Sequence, residues 1–85
     1  MFYVYLIQSL KDESTYTGYT DDVKKRLRAH NLGKVSYSSK HKPFRIAYFE
    51  AYLSEKDARR REQLLKKKGG QRDFLKENLQ ESLKM

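Results

Sequence analysis

The first twenty residues contain two stretches that are typical of adjacent β-strands. The first, FYVYLIQS at residues 2–9, is rich in aromatic and β-branched side chains, and the second, TYTGYT at 15–20, has the same character. Leu10 and four polar residues, KDES at 11–14, lie between them. This pattern predicts a β-hairpin at the start of the chain.

A helix and a third strand are predicted to follow the hairpin. Thr20 can cap a helix over about residues 21–32, and Gly33 supplies its end. The next stretch, 33–43, is polar and basic without a clear period, which indicates a loop able to approach phosphates. The sequence FRIAYFEAY at 44–52 then predicts a third strand.

Two more helices are predicted in the last third of the chain. Ser54 with Asp57 three residues later resembles a capping box, and the helix it opens runs to about Lys68, where the glycines at 69–70 end it. A last helix begins near Gln71. The predicted fold class is α/β in the broad sense (α+β): a small three-stranded antiparallel sheet flanked by helices, in the order β-β-α-β-α-α.

The length of 85 residues predicts a single domain over 1–85, with a core at about 2–79 and a polar C-terminal tail. The chain contains no cysteine, so neither a disulfide framework nor a thiolate zinc site can hold the fold together. The apolar N-terminal stretch is too short for a signal peptide or a membrane span. We therefore expect a cytoplasmic protein with no membrane contact.

The net charge of +8, from 19 Lys and Arg against 11 Asp and Glu, favours a polyanionic partner. Nucleic acid is the first candidate, because neutralised phosphates release counterions and so drive association. Lysines used for solubility and a ribosome-directed surface are the competing explanations. If the partner is nucleic acid, Lys34, Lys40 and Lys42 of the loop are its expected contacts.

The first predicted helix turns two polar side chains toward the core. With Val23 at 0°, Leu27 falls at about +40°, His30 at about −20° and Arg26 at about −60°. Arg26 and His30 therefore flank the apolar stripe, whereas the other cations of this helix face water. A purely structural role, in which both side chains extend over the edge of the core, is the alternative.

The second predicted helix directs a carboxylate inward. With Ala58 at 0°, Leu65 falls at about −20° and Glu62 at about +40°. An ionised carboxylate near a core is costly unless it is paired or binds a metal. Glu62 therefore needs a partner, and Arg26 is one structural candidate.

Strand geometry adds two phenols to this set. Tyr5 and Ile7 share one face of the first strand, and Tyr16 and Gly18 share one face of the second. If the turn centres near residues 10–11, Tyr5 lies opposite Tyr16. Both tyrosines could equally be half-buried strand residues, and Gly18 could serve only to relieve crowding against the first helix.

These residues also match a known family pattern. The triplet YVY at 3–5 occupies the place of a GIY element, and YTG at 16–18 that of a YIG element, with Arg26 and His30 ten and fourteen residues after the second tyrosine. The chain resembles the GIY-YIG nuclease superfamily, most closely its small stand-alone bacterial members, over about residues 2–79.

The resemblance continues into the second helix, where Ala58, Glu62 and Lys66 match the Ala-x-x-x-Glu helix of the family and its following lysine. Two positions depart from the family name, since Tyr3 replaces the glycine of GIY and Thr17 replaces the isoleucine of YIG. Neither replaces a side chain with an implied catalytic role.

The resemblance implies a metal-dependent endonuclease that cuts DNA with low sequence specificity, with RNA as the other candidate substrate. In that reaction Glu62 holds one Mg²⁺ or Mn²⁺ ion. Tyr16 takes a proton from the attacking water, assisted by Tyr5 or His30, and Arg26 binds the reacting phosphate. By the same analogy Gly18 lets the backbone approach the substrate, and Lys66 contacts nucleic acid.

Other expectations accompany this interpretation. Tyr37 and Asn78 are possible counterparts of polar helper residues in the family, although Tyr37 and His41 are expected to be solvated loop residues. A binding module of the same fold without turnover is the alternative function. We expect a monomer, although the sheet edges could pair in a dimer.

Overall fold

The structure is a computed structural model that describes residues 1–67 and 70–85. Its strands and helices follow the predicted order, which confirms the α+β class, and one short helix more than predicted lies at the end of the chain. In chain order they are β1 (Phe2–Ser9), β2 (Thr15–Thr20), α1 (Val23–Asn31), a 3-10 turn (Ser39–His41), β3 (Phe44–Tyr52), α2 (Glu55–Lys66), α3 (Gly70–Asn78) and α4 (Gln80–Lys84).

The sheet is antiparallel with the strand order β2-β1-β3, so β2 and β3 are its edges. Tyr5 pairs with Gly18, and Tyr16 pairs with Ile7. The predicted pairing of Tyr5 with Tyr16 is therefore wrong by two residues. The strands have the predicted bounds, but the turn is centred one position later than residues 10–11, because the Ser9 N–H bonds the Ser14 carbonyl at 2.8 Å and closes the loop there. A shift of two residues keeps every side chain on its predicted face.

Helices cover the two faces of the sheet. Val4, on one face, packs with Ala58 and Leu65 of α2 and with Leu75 of α3. Tyr5 and its neighbours on the opposite face pack against α1 and the loop that follows it. The buried members of that second cluster and the partly buried side chains around it are Tyr5, Ile7, Phe44, Tyr16, Leu27 and Ile46.

The start of α1 differs from the prediction. Asp22 rather than Thr20 is the N-cap, because its carboxylate accepts a hydrogen bond from the Lys25 N–H at 3.0 Å. The Thr20 hydroxyl instead accepts from the Asp22 N–H at 3.1 Å and so stabilises the turn into the helix. Gly33 follows the helix at φ 75°, a left-handed conformation that suits glycine, and its predicted role as the end of the helix is confirmed.

Helix α2 begins after Ser54 as predicted, but the capping box does not form. Ser54 makes no side-chain capping bond, and Asp57 pairs with Arg60 at 3.5 Å. The helix ends at Lys66, and the predicted end at Lys68 and Gly69 lies outside the described residues.

Gly70 is the first residue of α3 rather than part of a terminator, so this helix starts one residue before the predicted Gln71. The last predicted helix is divided at Leu79, and its second part forms α4. Arg45 of β3 donates to the Ser82 carbonyl and to the Gln8 side chain, which ties α4 to the sheet. Among the helices described, none has the length and apolar character that crossing a membrane would require.

Candidate functional site

The phenol of Tyr5 is the centre of a buried polar cluster between the sheet and α1. Its hydroxyl lies 3.0 Å from His30 Nε2, and Arg26 Nε donates to the phenol oxygen at 3.3 Å. Tyr5 is 2% exposed and His30 is fully buried. The helical period thus placed Arg26 and His30 correctly at the core edge, and the structure brings both onto Tyr5.

Gly18 makes room for this phenol. It pairs with Tyr5 across the sheet, and a Cβ atom at Gly18 would lie 2.2 Å from the Tyr5 hydroxyl oxygen and 2.5 Å from Cζ. The Tyr5 ring therefore lies across Gly18 and points toward the β2 edge. The crowding that Gly18 relieves comes from Tyr5 and not, as one alternative proposed, from the first helix.

The other nitrogen of the imidazole is held by the loop after α1. His30 Nδ1 lies 2.7 Å from the hydroxyl of the fully buried Ser38, which donates in turn to the Val35 carbonyl at 3.4 Å. Ser38 Oγ must then accept from Nδ1–H, which leaves Nε2 to accept from the Tyr5 hydroxyl. Burial, together with the charge of Arg26, lowers the pKa of His30 to about 4, so the ring is neutral at pH 7.

The charges of the cluster are set by the same contacts. Burial raises the pKa of the Tyr5 phenol, and the hydrogen bond from Arg26 offsets part of that rise. The bond to Tyr5 raises the pKa of the Arg26 guanidinium. At neutral pH the cluster consequently contains a protonated phenol, a neutral imidazole and one positive charge.

Tyr16 lies beside this cluster, in a group of rings contributed by the loop. Its ring centroid is 5.5 Å from that of Phe44, 5.9 Å from Tyr37 and 5.7 Å from His41. Tyr37 is 53% exposed, as expected of a loop residue, yet its ring is also 6.0 Å from His30. The loop thus brings Tyr37 to the site.

Two residues considered from the sequence have other surroundings. His41 is half-buried, and its Nδ1 pairs with the carboxylate of Asp12 in the hairpin loop, so it is not the freely solvated side chain that was expected. Asn78 is exposed at the end of α3, and within the described part of the chain its side chain makes no hydrogen bond. The structure does not bring Asn78 to the site.

Glu62 approaches from the opposite layer of the molecule, on α2. Its side chain is 20% exposed and pairs with Lys66 Nζ at 3.2 Å. Arg26 bonds Tyr5 instead, so the idea of an Arg26–Glu62 pair is wrong. Burial is the main cause of the raised pKa of Tyr5, and the charge of Glu62 adds a small part of that rise.

The donor set at Glu62 limits what it could hold. Within the described residues no three acidic or histidine side chains come together as a metal site. One carboxylate paired with a displaceable ammonium fits Mg²⁺, which commonly binds through one or two carboxylates and completes its shell with water and substrate phosphate.

A cleft of about 360 Å³ lies at the edge of β2, where the two layers meet. We call it the β2-edge cleft. Its walls come from both faces of the strand, from the loop and from α2 and α3: Thr15, Tyr16, Thr17, Tyr37, Lys66 and Arg72. Lys66, expected to contact nucleic acid, lines this cleft, whereas Lys34, Lys40 and Lys42 are exposed on the loop.

Ser38 and Arg72 were not anticipated from the sequence. Ser38 is one of several serines in a loop without a period, and Arg72 is one of many cations. No local signal separates either from its neighbours, because both reach the site through tertiary contacts.

The fold and this arrangement define a small α+β domain with a polar site at the open edge of its sheet. The sequence model of the family described as GIY-YIG catalytic domain matches residues 1–77, and the chain therefore belongs to the GIY-YIG family, whose members are typically nucleases. This confirms the resemblance seen in the two triplets.

Similar proteins carry the UPF0213 name. UPF0213 protein CPE1444 of Clostridium perfringens is 41% identical over 68 residues, covering 79% of this chain and 72% of the relative. UPF0213 protein SAG0778 of Streptococcus agalactiae is 43% identical over 67 residues, with 78% and 75% covered. The solution NMR structure of UPF0213 protein BH0048 from Bacillus halodurans is 36% identical, has a TM-score of 0.56, and matches over 93% of this chain and 85% of that one.

Proposed function

We propose that this chain is a cytoplasmic, single-domain, metal-dependent endonuclease that hydrolyses phosphodiester bonds in DNA with low sequence specificity. The observation that carries the proposal is the buried Arg26–Tyr5–His30 network beside a cationic cleft, with one carboxylate, Glu62, paired with Lys66 of the cleft wall. Cleavage of a phosphodiester requires charge relief on the phosphoryl oxygens, an activated water and help for the leaving oxygen.

Arg26 is the proposed ligand of the reacting phosphate. Its bond to Tyr5 uses Nε, so the terminal guanidinium nitrogens remain to bind phosphate oxygens. Because Tyr5 is buried and bonded on two sides, it holds the guanidinium in one orientation. Fixed donors of this kind stabilise developing charge without having to reorganise during the reaction.

The two phenols are proposed to have different roles. Tyr5, whose pKa is raised by burial, stays protonated and serves as a positioning residue for Arg26 and His30. Tyr16 lines the open cleft, and in its phenolate form, with its own proton released to solvent, it is the proposed acceptor of the proton from the attacking water. His30 supports this arrangement because its Nε2 accepts a hydrogen bond from the Tyr5 hydroxyl. The phenol oxygen can then accept the hydrogen bond from Arg26 Nε.

Glu62 is the proposed holder of a single Mg²⁺ or Mn²⁺ ion. Such an ion would stabilise charge on the phosphate and on the leaving oxygen. In the protein itself, Lys66 neutralises Glu62, and an entering cation would compete with that ammonium. Release of Lys66 would leave its charge available to the nucleic acid.

The small donor set also favours a specific second candidate. A carboxylate already paired with a lysine, with no cluster of three acidic or histidine side chains among the described residues, suits a module that binds nucleic acid without cutting it. Such a module would bind DNA equally well with chelator and would form no product.

The test is incubation of the purified chain with labelled DNA and RNA substrates, with Mg²⁺, with Mn²⁺ and with chelator. Glu62→Gln and Arg26→Ala should each lower the cleavage rate at least about a hundredfold while the protein stays folded. Two exposed residues of the same types supply the controls: Glu77→Gln and Arg28→Ala should cut like the unmodified chain.

Metal-dependent products that disappear in the two site variants and persist in the two controls would support the nuclease. Equal rates in Glu62→Gln and Glu77→Gln would reject the assignment of Glu62. Binding without product under every metal condition would favour the binding module.

A further inference from the structure

In the described part of the chain, the charged side chains that line the β2-edge cleft are two cations, Lys66 and Arg72. They come from different helices, α2 and α3, and among the residues that the structure describes no carboxylate lines the cleft with them. Thr15 and Thr17 of the edge strand β2 add hydroxyl groups to the lining. The polar part of the lining therefore consists of cations and hydroxyls, a set of groups suited to an anion.

Helix stability does not account for the cation at Arg72. It is the third residue of α3, close to the positive end of the helix dipole, where a cation is unfavourable. Within the described part of the chain, Arg72 forms no ion pair and donates no hydrogen bond. Arg60 of α2 differs in this respect, because it pairs with Asp57.

Three residues of the cleft wall connect it to the proposed catalytic site: Tyr16, Tyr37 and Lys66. Lys66 Nζ is 3.2 Å from Glu62 Oε2, and Tyr16 forms part of the cleft wall. Tyr37 joins the two regions, because its ring lies near Tyr16 on one side and near His30 on the other. An anion bound in the cleft would thus lie beside a phosphate held by Arg26.

We propose that Arg72, together with Lys66, binds a second phosphate of the DNA strand, the one adjacent to the phosphate that is cut. This inference rests on the proposed function for its definition of the cut phosphate. Arg72 is then a positioning residue: it fixes the register of the strand in the site and does not touch the reacting atoms. Arginine suits this role because its planar fork matches two phosphate oxygens.

The first test measures the affinity of the chain for a short labelled DNA in chelator, where no cleavage occurs. Arg72→Ala should weaken binding about tenfold and lower the slope of log affinity against log salt by about one, as expected for loss of one phosphate contact. Arg60→Ala, which removes an exposed arginine outside the cleft, is the matched control and should change neither quantity. Circular dichroism of each variant verifies that it is folded.

The second test identifies the phosphate. In a series of DNAs that each carry one neutral methylphosphonate, the unmodified chain should lose affinity at the position that Arg72 contacts. Arg72→Ala should lose less affinity at that position than the unmodified chain does, because only Lys66 still contacts that phosphate, while it keeps the sensitivity of the unmodified chain at the others. The cut site, mapped separately with metal present, should be the neighbouring phosphate.

Equal salt slopes for Arg72→Ala and Arg60→Ala, or full methylphosphonate sensitivity of Arg72→Ala at every position, would overturn the inference. A chain that never cuts but shows the predicted interference pattern would refute the proposed nuclease and leave the Arg72 contact supported. A chain that cuts but shows no Arg72-dependent position would support the proposed nuclease and refute the Arg72 contact.

Discussion

Replacement of Gly18 by alanine should disrupt the packing of the Tyr5 cluster and destabilise the fold. The added Cβ would lie 2.2 Å from the Tyr5 hydroxyl oxygen and 2.5 Å from Cζ, closer than non-bonded atoms can approach. The Tyr5 ring is 2% exposed and packs within the cluster of Ile7 and Phe44, so it has no free space to enter. Either the ring or the β2 backbone must move.

The expected cost follows from two effects of that movement. Displacement of the phenol leaves the fully buried Nε2 of His30 without its donor, which costs about 1 to 3 kcal/mol. Forcing an extra methyl group into a packed core costs about 1 to 3 kcal/mol more. A loss of about 2 to 6 kcal/mol would lower the Tm of a domain of this size by at least about 8 °C.

Thermal unfolding followed by circular dichroism at pH 7 measures this directly. Gly70→Ala is the matched control, since a Cβ atom at that first residue of α3 meets no atom of the described residues within 4 Å. It should leave the Tm unchanged or raise it slightly, because alanine is the better helix former. If Gly18→Ala melted within about 2 °C of Gly70→Ala, the close packing of Tyr5 on Gly18 would be refuted.

Three other perturbations test separate parts of the structure. His30 has a pKa of about 4 in the fold against about 6.5 when unfolded, so its contribution to the free energy of unfolding is complete above pH 6.5 and is lost as pH falls, by up to about 3 kcal/mol at pH 4. Between pH 7 and pH 5, urea unfolding should therefore show a larger loss of stability for the unmodified chain than for His30→Gln. Glu50→Ala removes the partner of Arg61 Nε at 2.7 Å and should cost at least about 2 kcal/mol in urea unfolding, with the cleavage rate of the remaining folded protein unchanged. Asn31→Ala removes two bonds to the Phe44 backbone, at 2.6 and 3.2 Å, and should lower the free energy of unfolding by about 1 to 3 kcal/mol in the same assay.

Each of these has a contrary outcome. Parallel losses of stability between pH 7 and pH 5 in the unmodified chain and His30→Gln would show that the imidazole is not held neutral by burial. Unchanged unfolding curves for Glu50→Ala or Asn31→Ala would show that the corresponding contact does not stabilise the fold.

The inward position of the polar helix residues could be predicted because it depends on local geometry alone. Counting around α1 put His30 and Arg26 beside the apolar stripe, and His30 is fully buried. The hairpin register could not be predicted to the same accuracy, because the centre of the turn depends on bonds such as that between Ser9 and Ser14, which no strand pattern encodes. The error of two residues left the faces right and the pairing wrong.

The partners of the inward residues were beyond sequence reasoning. Glu62 was expected to pair with a metal or with Arg26, and its partner in the fold is Lys66, one turn further along the same helix. Ser38 and Arg72 come from segments whose spacing carries no information about the site. Helical and strand periods indicate which side chains face inward, whereas tertiary packing decides what they meet.

The place of the site in the fold follows from the open edge of β2. Tyr5 and Arg26 belong to the face covered by α1, whereas Glu62 and Lys66 belong to the face covered by α2, and a sheet separates these layers everywhere except at its edges. Only at an edge can side chains from both layers act on one ligand, and the cleft at β2 has walls from both. A strand added to β2 would cover that cleft. If two copies of the chain pair through their strand edges and the site stays open, the pairing must therefore use β3.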